Sequence, residues 1–413
     1  MKLKTSFAMM SFAVIIASSA HAAPQKHLVI APQCLLNTAQ ITTTPLATKN
    51  GYNLMEVSMN DIENLAGAKH HTKQPCGGFI DVTHAWNNQH SLRAVTPAKF
   101  LNDQLTKPAV NQLTKKAAYK IQYQKETDAL IKTISPQTMW SNLTTLTDFH
   151  NRYANSDTGV DAANWIKAKV ETMAKESGHD DVTVYFVNTG SYKQPSVVAK
   201  LGTGNEAGIV IGGHMDTLKT EWPWLNRNDS DTPHMPGADD DGSGSMTVME
   251  TARTILASGM KFKKPIYFVW YSAEELGLVG SQYVVQDFKN KHIPVAAALQ
   301  LDMTGYAHQN DRTIWLMNDY VSKDLTAFLQ NLITTYVKQP YNYSRCGYAC
   351  SDHASWTSAG VPSAFPFETA MGNDDPYIHT ANDKMEFLSL DHMTDFAKLG
   401  TAFAVELAEP VSK

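Results

Sequence analysis

Cysteine is scarce in this chain, with 4 residues among 413, and no pair has the spacing of a cysteine zinc finger. So few cysteines in so long a chain exclude a small disulfide-framework protein. Basic runs are absent too, since 35 Lys and Arg residues face 40 Asp and Glu residues for a net charge of −5. Beyond the N-terminus, no run approaches the roughly 18 apolar residues of a transmembrane helix. We therefore expect no nucleic-acid partner and no membrane-spanning domain.

What is present is an ordinary globular composition, 43% hydrophobic and 18% charged, in a chain long enough for one large domain or two.

The N-terminus has the features of an export signal. Two lysines precede a mostly apolar run, and Ala20-His21-Ala22 matches the small-x-small pattern of a signal peptidase site. The run is too short and too rich in serine to favour a membrane anchor. We predict a signal peptide over 1–22 and a secreted protein, extracellular or periplasmic.

Residues 23–130 differ in pattern from the rest of the chain. The strand-like patches HLVIA and GFIDV are followed by a tract rich in Lys, Gln and Thr. Outside the cytoplasm Cys34 and Cys76 would be oxidised, and we expect them to pair. His70 and His71 could suggest a metal site, but without a second ligand pair at suitable spacing a solvated pair is favoured. We expect a small α+β segment here.

From about residue 131, strands and helices alternate. The expected helices lie near 136–153, 160–177, 243–258, 323–337 and 391–408, and a further helix is expected from Leu278 onward. The strands expected between them are VTVYFV, SVVAKL, AGIVIGG, PIYFVWYSA, AAALQLD and RTIWLMN. Fully apolar runs are typical of strands buried on both faces. We therefore predict a three-layer α/β domain over 131–413, with a mostly parallel central sheet flanked by helices.

Polar side chains gather at the predicted ends of three of these strands. His214 and Asp216 follow AGIVIGG, Glu274 and Glu275 follow PIYFVWYSA, and Asp302 ends AAALQLD. In an open α/β sheet, ligands bind outside the carboxyl ends of the strands. Three strands should therefore deliver acids and a histidine to one edge of the sheet.

Two loops add further candidates, the acidic PGADDDGSG (236–244) and His379 in YIHTAND. Taken singly, each group has an ordinary explanation: an Asp-rich loop before a helix is usually an N-cap, and adjacent glutamates usually form a solvated turn. Taken together, two histidines and several carboxylates without cysteine suit zinc and tolerate cobalt or manganese. The carboxylates are numerous enough for one to bridge two ions.

Six motifs, in their order and separation, resemble the secreted bacterial leucyl aminopeptidases, which are two-zinc exopeptidases of the phosphorylase/hydrolase-like α/β fold. The motifs are GGHMDT, PGADDDGSG, SAEELGLVGS, LQLDMTGY, CGYACSDHASW and PYIHTANDK. The resemblance covers the chain from about residue 136 and implies hydrolysis of N-terminal, Leu-like or hydrophobic residues from peptides. By position, 23–130 resembles the prosegment of such enzymes, so we expect it to cover the cleft and to be removed by proteolysis. We expect a monomer.

The resemblance also implies a ligand set for two zinc ions. One ion would lie on His214 and Asp302, and the other on Glu275 and His379. Asp240, the middle acid of the ADDDG run, would bridge them. The site would therefore use ligands from three strand ends and from both loops.

Further roles follow from the same resemblance. Asp216 would hold the ring of His214, and Glu274 would be the general base. Cys346 and Cys350 can pair across the CGYAC turn, and Tyr348 at its centre resembles the tyrosine that hydrogen-bonds the developing oxyanion.

The pocket for the N-terminal side chain should be apolar. The residues that match the family's pocket are Met303, Phe365, Phe367, Met371 and Ile378. A stripe of Met, Phe and Ile is normally core, but as a set beside the tyrosine it favours a pocket for Leu-like or aromatic side chains.

Alternatives remain. Another metal-dependent amidase or a carboxypeptidase on the same fold is the nearest, although a carboxypeptidase wants an arginine for the free carboxylate and the motifs offer only Arg345. Glutaminyl cyclases share the fold but keep one metal and lose part of the ligand set. A non-catalytic binding protein would lack ligands or the base, whereas this chain has all of them.

Overall fold

The computed structural model describes residues 26–69, 76–90, 95–106, 119–223 and 231–411. The predicted signal peptide and the pair His70-His71 lie outside these residues. Within the described ranges, no helix is long and apolar enough to cross a membrane.

The described residues up to 106 form a small α+β lobe. Its elements are β1 (His27–Pro32), α1 (Gln33–Thr38), β2 (Ala47–Lys49), β3 (Tyr52–Val57), α2 (Met59–Ala68), β4 (Ile80–Asp81), α3 (Thr83–His90) and α4 (Pro97–Leu105). The strands form an antiparallel sheet in the order β2-β3-β1-β4. Helix α2 begins with a capping box, because Ser58 and Asp61 each accept the other's backbone N–H.

Strand β1 is buried on both faces. Leu28 and Ile30 pack in a cluster with Phe100 of α4, whereas Val29 and Ala31 belong to a second cluster shared with the rest of the chain. The lobe therefore has a core of its own and an apolar surface packed against the larger domain.

The larger domain begins with the described residues from 119. Its first half comprises α5 (Gln124–Ile131), α6 (Pro136–Thr147), α7 (Asp157–Glu176), β5 (Val182–Val187), β6 (Ser196–Leu201), β7 (Gly208–His214), α8 (Gly244–Ala257) and β8 (Ile266–Tyr271). Its second half comprises α9 (Val279–Asn290), β9 (Val295–Gln300), β10 (Ile314–Met317), α10 (Lys323–Leu332), β11 (Tyr341–Ser344), α11 (His353–Ser358), β12 (Ser363–Ala364), β13 (Pro366–Phe367) and α12 (Leu390–Ala408).

Six strands form the central sheet in the order β12-β9-β7-β8-β6-β5. The first four are parallel, and β6 and β5 complete the sheet in antiparallel pairing. Alternate residues of β8 face opposite layers, because Phe268 and Trp270 pack with α8 and α12, whereas Tyr267 and Val269 pack with α9. The predicted three-layer α/β fold with a mostly parallel sheet is confirmed.

The run RTIWLMN is a strand but lies outside the central sheet. It forms β10 of a three-stranded sheet ordered β11-β10-β13. The preceding strand β9 already pairs with β7 on one side and β12 on the other, so it has no free edge for β10. The small sheet brings Met317 and Phe367 beside the predicted apolar pocket.

Candidate active site

The carboxyl ends of three parallel strands deliver the predicted polar groups to one place. His214 is the last residue of β7 and pairs with Tyr271, the last residue of β8. The turn after β8 carries Glu274 and Glu275, and Asp302 follows β9 by two residues. The side chains of His214, Glu274, Glu275 and Asp302 are all buried. The convergence expected from the sequence is therefore observed.

Asp240 lies between two histidines and faces both. Its Oδ1 is 3.0 Å from His214 Nε2, and its Oδ2 is 2.8 Å from His379 Nε2. On the first side, Asp302 Oδ1 lies 3.7 Å from His214 Nε2, and on the second, Glu275 Oε2 lies 2.9 Å from His379 Nε2. The five predicted ligands thus form two groups that share Asp240.

The chemistry of these atoms fits metal ions. Tetrahedral zinc with bonds of about 2.0–2.2 Å holds its ligand atoms about 3.4 Å apart, which is close to the separations observed here. Several buried carboxylates in one site also need cations to offset their mutual repulsion. The described part of the chain contains two clusters able to hold an ion, His214–Asp241–Asp302 and Asp240–Glu275–His379.

Asp241 belongs to the first of these clusters, but both of its carboxylate oxygens accept hydrogen bonds from the backbone. Its Oδ2 accepts from the N–H of His214 at 2.9 Å, and its Oδ1 accepts from Gly244 at 2.9 Å and Met303 at 3.0 Å. A Cβ at Gly244 would lie 2.3 Å from this Oδ1, so only glycine permits the approach. By contrast, both carboxylate oxygens of Asp240 face the histidines. The peptide bond between Asp240 and Asp241 is cis.

Asp216 organises the turn that carries the two glutamates. Its Oδ1 accepts from the N–H of Glu274 at 3.0 Å, and its Oδ2 accepts from Glu275 at 3.3 Å. His214 Nδ1 lies 3.5 Å from Asp216 Oδ1 and 3.2 Å from the Asp216 carbonyl oxygen. Asp216 thus faces the ring as expected, but its carboxylate bonds mainly to the backbone after β8.

The surroundings shift the pKa values of Glu274 and Glu275 in opposite directions. Burial raises the pKa of Glu274, and the attraction of Lys69 and His214 only partly opposes it. Burial also acts on Glu275, but His379 and Lys69 outweigh it and lower the pKa of that carboxyl group. Burial would lower the pKa of His379, yet Glu275 and Asp240 outweigh it and raise this pKa to about 9. Glu275 is therefore the more strongly held anion of the pair.

Arg152 supports the site without any signal in the motifs. Its buried guanidinium donates to the carbonyl oxygen of Met215 at 2.7 Å, to that of Pro236, and to that of Gly237 at 2.7 Å. Burial lowers its pKa to about 10, although nearby aspartates oppose the shift. One side chain therefore ties the end of β7 to the start of the acidic loop.

Two further residues that support the site lie inside the motifs, but the sequence analysis gave them no role. Asp383 of the YIHTAND run accepts from the N–H groups of Asp239 at 2.8 Å and Asp240 at 3.1 Å. Ser351 of the CGYACSDHASW run donates its hydroxyl to Asp302 Oδ2. Both residues hold a predicted ligand or its loop, and their place in the motifs was the one signal available.

Three site loops contain non-glycine residues in the left-handed region. Ala273 has φ 51°, Met303 φ 58° and His379 φ 61°. Such conformations cost about 1–3 kcal/mol each and cluster at functional sites. Here Ala273 directly precedes Glu274, Met303 directly follows Asp302, and the third such residue is His379 itself.

A cavity of about 50 Å³ opens beside the two clusters. All the predicted substrate-binding residues line it, namely Met303, Tyr348, Phe365, Phe367, Met371 and Ile378. Burial raises the pKa of Tyr348 to about 12, so its phenol keeps its proton. The predicted disulfides Cys34–Cys76 and Cys346–Cys350 are both present. Lys69 of the lobe also lines this cavity, which the sequence did not predict.

Three comparisons with known proteins point to the same family of peptidases. The model of peptidase family M28 matches residues 196–404. Leucine aminopeptidase 1 of Penicillium rubens is 40% identical over 291 residues, 68% of this chain and 73% of the relative. The crystal structure of the Legionella pneumophila LapA aminopeptidase has a TM-score of 0.84 at 44% identity, covering 94% of this chain and 100% of that one. LapB from the same organism gives 0.81 at 37% identity, with 93% and 100% covered. The resemblance drawn from the six motifs is therefore confirmed, and the chain belongs to peptidase family M28.

Proposed function

We propose that this protein is an aminopeptidase that uses two zinc ions to remove N-terminal, Leu-like or hydrophobic residues from peptides. The observation that carries the proposal is the pair of buried ligand groups joined by Asp240. His214 and Asp302 would hold one ion, and Glu275 and His379 the other. Cobalt or manganese would also suit these nitrogen and oxygen donors.

The chain's own residues account for the remaining steps. When bound, the ions supply Lewis acidity toward the scissile carbonyl and lower the pKa of a water molecule. Glu274 takes a proton from the attacking water and gives it to the leaving amine, a role for which burial keeps its pKa raised. Tyr348 keeps its phenol proton and donates a hydrogen bond to the oxygen that becomes negative. Asp216 keeps the neighbouring glutamates in place through their backbone N–H groups.

The cavity wall supports the choice of side chain. Met303, Phe365, Phe367 and Ile378 are buried in one apolar cluster, and Met371 packs against it. An apolar side chain would gain about 25 cal/mol per Å² of surface buried there. A Leu-like or aromatic N-terminal residue is therefore the favoured substrate.

A carboxypeptidase is the less favoured alternative. Arg345, the arginine that a substrate carboxylate would need, is exposed and lines a separate groove with Asn318 and Lys323. The cavity beside the ligand groups is lined by other residues. The site therefore suits a free N-terminus better than a free C-terminus.

The experiment is hydrolysis of Leu-p-nitroanilide by the purified enzyme after proteolytic removal of the lobe. The proposal predicts turnover that a chelator abolishes and zinc restores. An N-acetylated Leu-p-nitroanilide serves as the matched control and should not be cleaved. Equal cleavage of the blocked substrate, or activity that survives complete chelation, would contradict the proposal.

We also propose that the lobe is a prosegment that covers the cleft until proteolysis removes it. Its contacts with the cavity support this, because Lys69 lines the cavity and Gly78 packs against Tyr348. The sequence of 1–22 favours export, so maturation would take place in the periplasm or outside the cell. The mature enzyme would be a monomer.

A further inference from the structure

Lys69 of the lobe reaches into the proposed active site. It directly follows α2, and its Nζ lies 3.1 Å from Glu275 Oε2, with 14% of the side chain exposed. Glu274 and Asp240 add electrostatic attraction for the ammonium group. One lysine from the lobe therefore places a positive charge among the acids of the larger domain.

The lobe backbone closes the same cavity from another side. A Cβ at Gly78 would lie 2.6 Å from Tyr348 Cε2, so the chain approaches the ring more closely than any other residue would allow. Nearby, the N–H of Asp81 donates to the carbonyl oxygen of Gly277 at 3.1 Å. The lobe thus contacts both the tyrosine and the turn after the glutamates.

A separate surface holds the lobe in place. Glu63 of α2 accepts from the Tyr153 hydroxyl at 2.5 Å and pairs with Lys219 Nζ at 3.0 Å. Around this polar contact, side chains of α1 and α2 form one apolar cluster with residues of the larger domain such as Leu218 and Leu276. The attachment of the lobe therefore does not depend on Lys69.

An aminopeptidase must receive a primary ammonium group, because its substrates carry a free N-terminus. The Lys69 side chain ends in the same chemical group, and its apolar stem can lie along an apolar wall. We propose that the lobe inhibits the enzyme as a substrate mimic, with the Lys69 ammonium in the position of a substrate's N-terminal ammonium. This inference rests on the proposed aminopeptidase function.

The test compares three full-length precursors: wild type, Lys69→Met and Lys99→Met. Methionine keeps an unbranched stem without the charge, and Lys99 is the control because it is exposed and pairs with Asp103 within the lobe. Each protein is measured intact and after removal of the lobe by limited proteolysis. The readouts are the affinity for L-leucine by titration calorimetry and turnover of Leu-p-nitroanilide.

In the wild type and in Lys99→Met, removal of the lobe should tighten leucine binding by about 10- to 100-fold, as expected for competition by a charge-assisted hydrogen bond. Intact Lys69→Met should recover most of that gain, and all three lobe-free enzymes should be identical. Limited proteolysis should release the lobe of intact Lys69→Met no faster than that of the wild type, because Glu63 still holds the lobe to Tyr153 and Lys219.

The inference is overturned if intact Lys69→Met binds leucine as weakly as the intact wild type while its lobe-free form binds tightly. It is equally overturned if the variant gains affinity because it sheds its lobe. Failure of the proposed function is distinguishable, since lobe-free wild type loaded with zinc would then leave Leu-p-nitroanilide intact whatever residue stands at 69.

Discussion

Two adjacent glutamates have different surroundings although they share one turn. Glu275 Oε2 lies 2.9 Å from His379 Nε2, where we propose that a metal ion binds, whereas Glu274 lines the cavity proposed for the substrate. Asp216 fixes both backbone N–H groups, so the two side chains leave the turn in a defined order. A proton-transfer role and a ligand role can therefore be separated by substitution.

Glu274→Gln should retain both metal ions and bind substrate nearly as well as the wild type. Its kcat should fall by on the order of 10²–10⁴ with little change in KM, because the lost proton transfer belongs to the transition state. Glu275→Gln should instead lose or weaken one ion, with partial recovery in excess zinc. Metal content and kcat of both variants decide this, and loss of metal from Glu274→Gln would reverse the assignment.

His353 illustrates a buried residue whose neutral form the fold requires. Its ring lies 4.8 Å from that of Phe365, and burial lowers its pKa to about 3. Below the unfolded value of 6.5, the unfolded chain takes up a proton that the folded chain does not. This histidine therefore lowers the free energy of unfolding as the pH falls.

His353→Phe should remove that contribution. Relative to the wild type, the variant should gain about 1.4 kcal/mol of unfolding free energy for each pH unit below about 6. Urea unfolding of both proteins between pH 4 and 7 measures the difference, in which the shared titration of the other groups cancels. Parallel pH profiles would contradict this account, because they would show that the histidine takes up its proton as readily in the folded protein as in the unfolded chain.

At the scale of elements, the sequence identifies the strands and what lies at their ends. Fully apolar runs predict β7 and β8, and the run AAALQLD predicts β9. The alternation of strands and helices predicts that their carboxyl ends lie at one edge of a parallel sheet. Spacing does not reveal long-range bonds such as those from Arg152 to Pro236 and Gly237, which join residues 84 and 85 positions apart. It also gave no reason to place Lys69 at the site, since that contact spans 206 positions.

Arg152→Met should test how much the acidic loop depends on this anchor. In the variant, the buried carbonyl oxygens of Met215 and Pro236 lose this donor, and that of Gly237 keeps only the N–H of Gly242. We therefore expect a loss of about 3 kcal/mol in the free energy of unfolding and weaker metal binding. Arg345→Met is the matched control, because Arg345 is exposed, and it should change stability by less than about 0.5 kcal/mol. Equal effects of the two substitutions would contradict the anchoring role.

At the scale of the whole molecule, the described residues from 119 onward already belong to the larger domain. Glu406 of α12 is buried and accepts from the N–H groups of Gln122 at 2.7 Å and Tyr123 at 3.1 Å. The Tyr336 hydroxyl donates to the same carboxylate. A cut beyond these residues would leave a buried charge with fewer partners.

N-terminal sequencing of the mature secreted protein should therefore find a first residue between about 105 and 122. The end of the removed segment therefore lies before the boundary at 130 that the sequence pattern indicated, because α5 packs against α12 in the larger domain. Glu406→Gln, which weakens these contacts, should lower the stability of the mature enzyme by about 1–3 kcal/mol. A fully active mature protein that begins at Ala23, or beyond residue 131, would contradict this view of maturation.

The central claim is that two metal ions on one shared aspartate perform the hydrolysis. It is tested most directly by restoring zinc stepwise to the chelated, lobe-free enzyme while bound metal and Leu-p-nitroanilide turnover are measured in the same samples. The account predicts that turnover reaches its maximum at two bound ions per chain, and that Asp240→Asn binds both ions more weakly. Full turnover in the absence of metal, or metal binding that leaves turnover at zero, would contradict it.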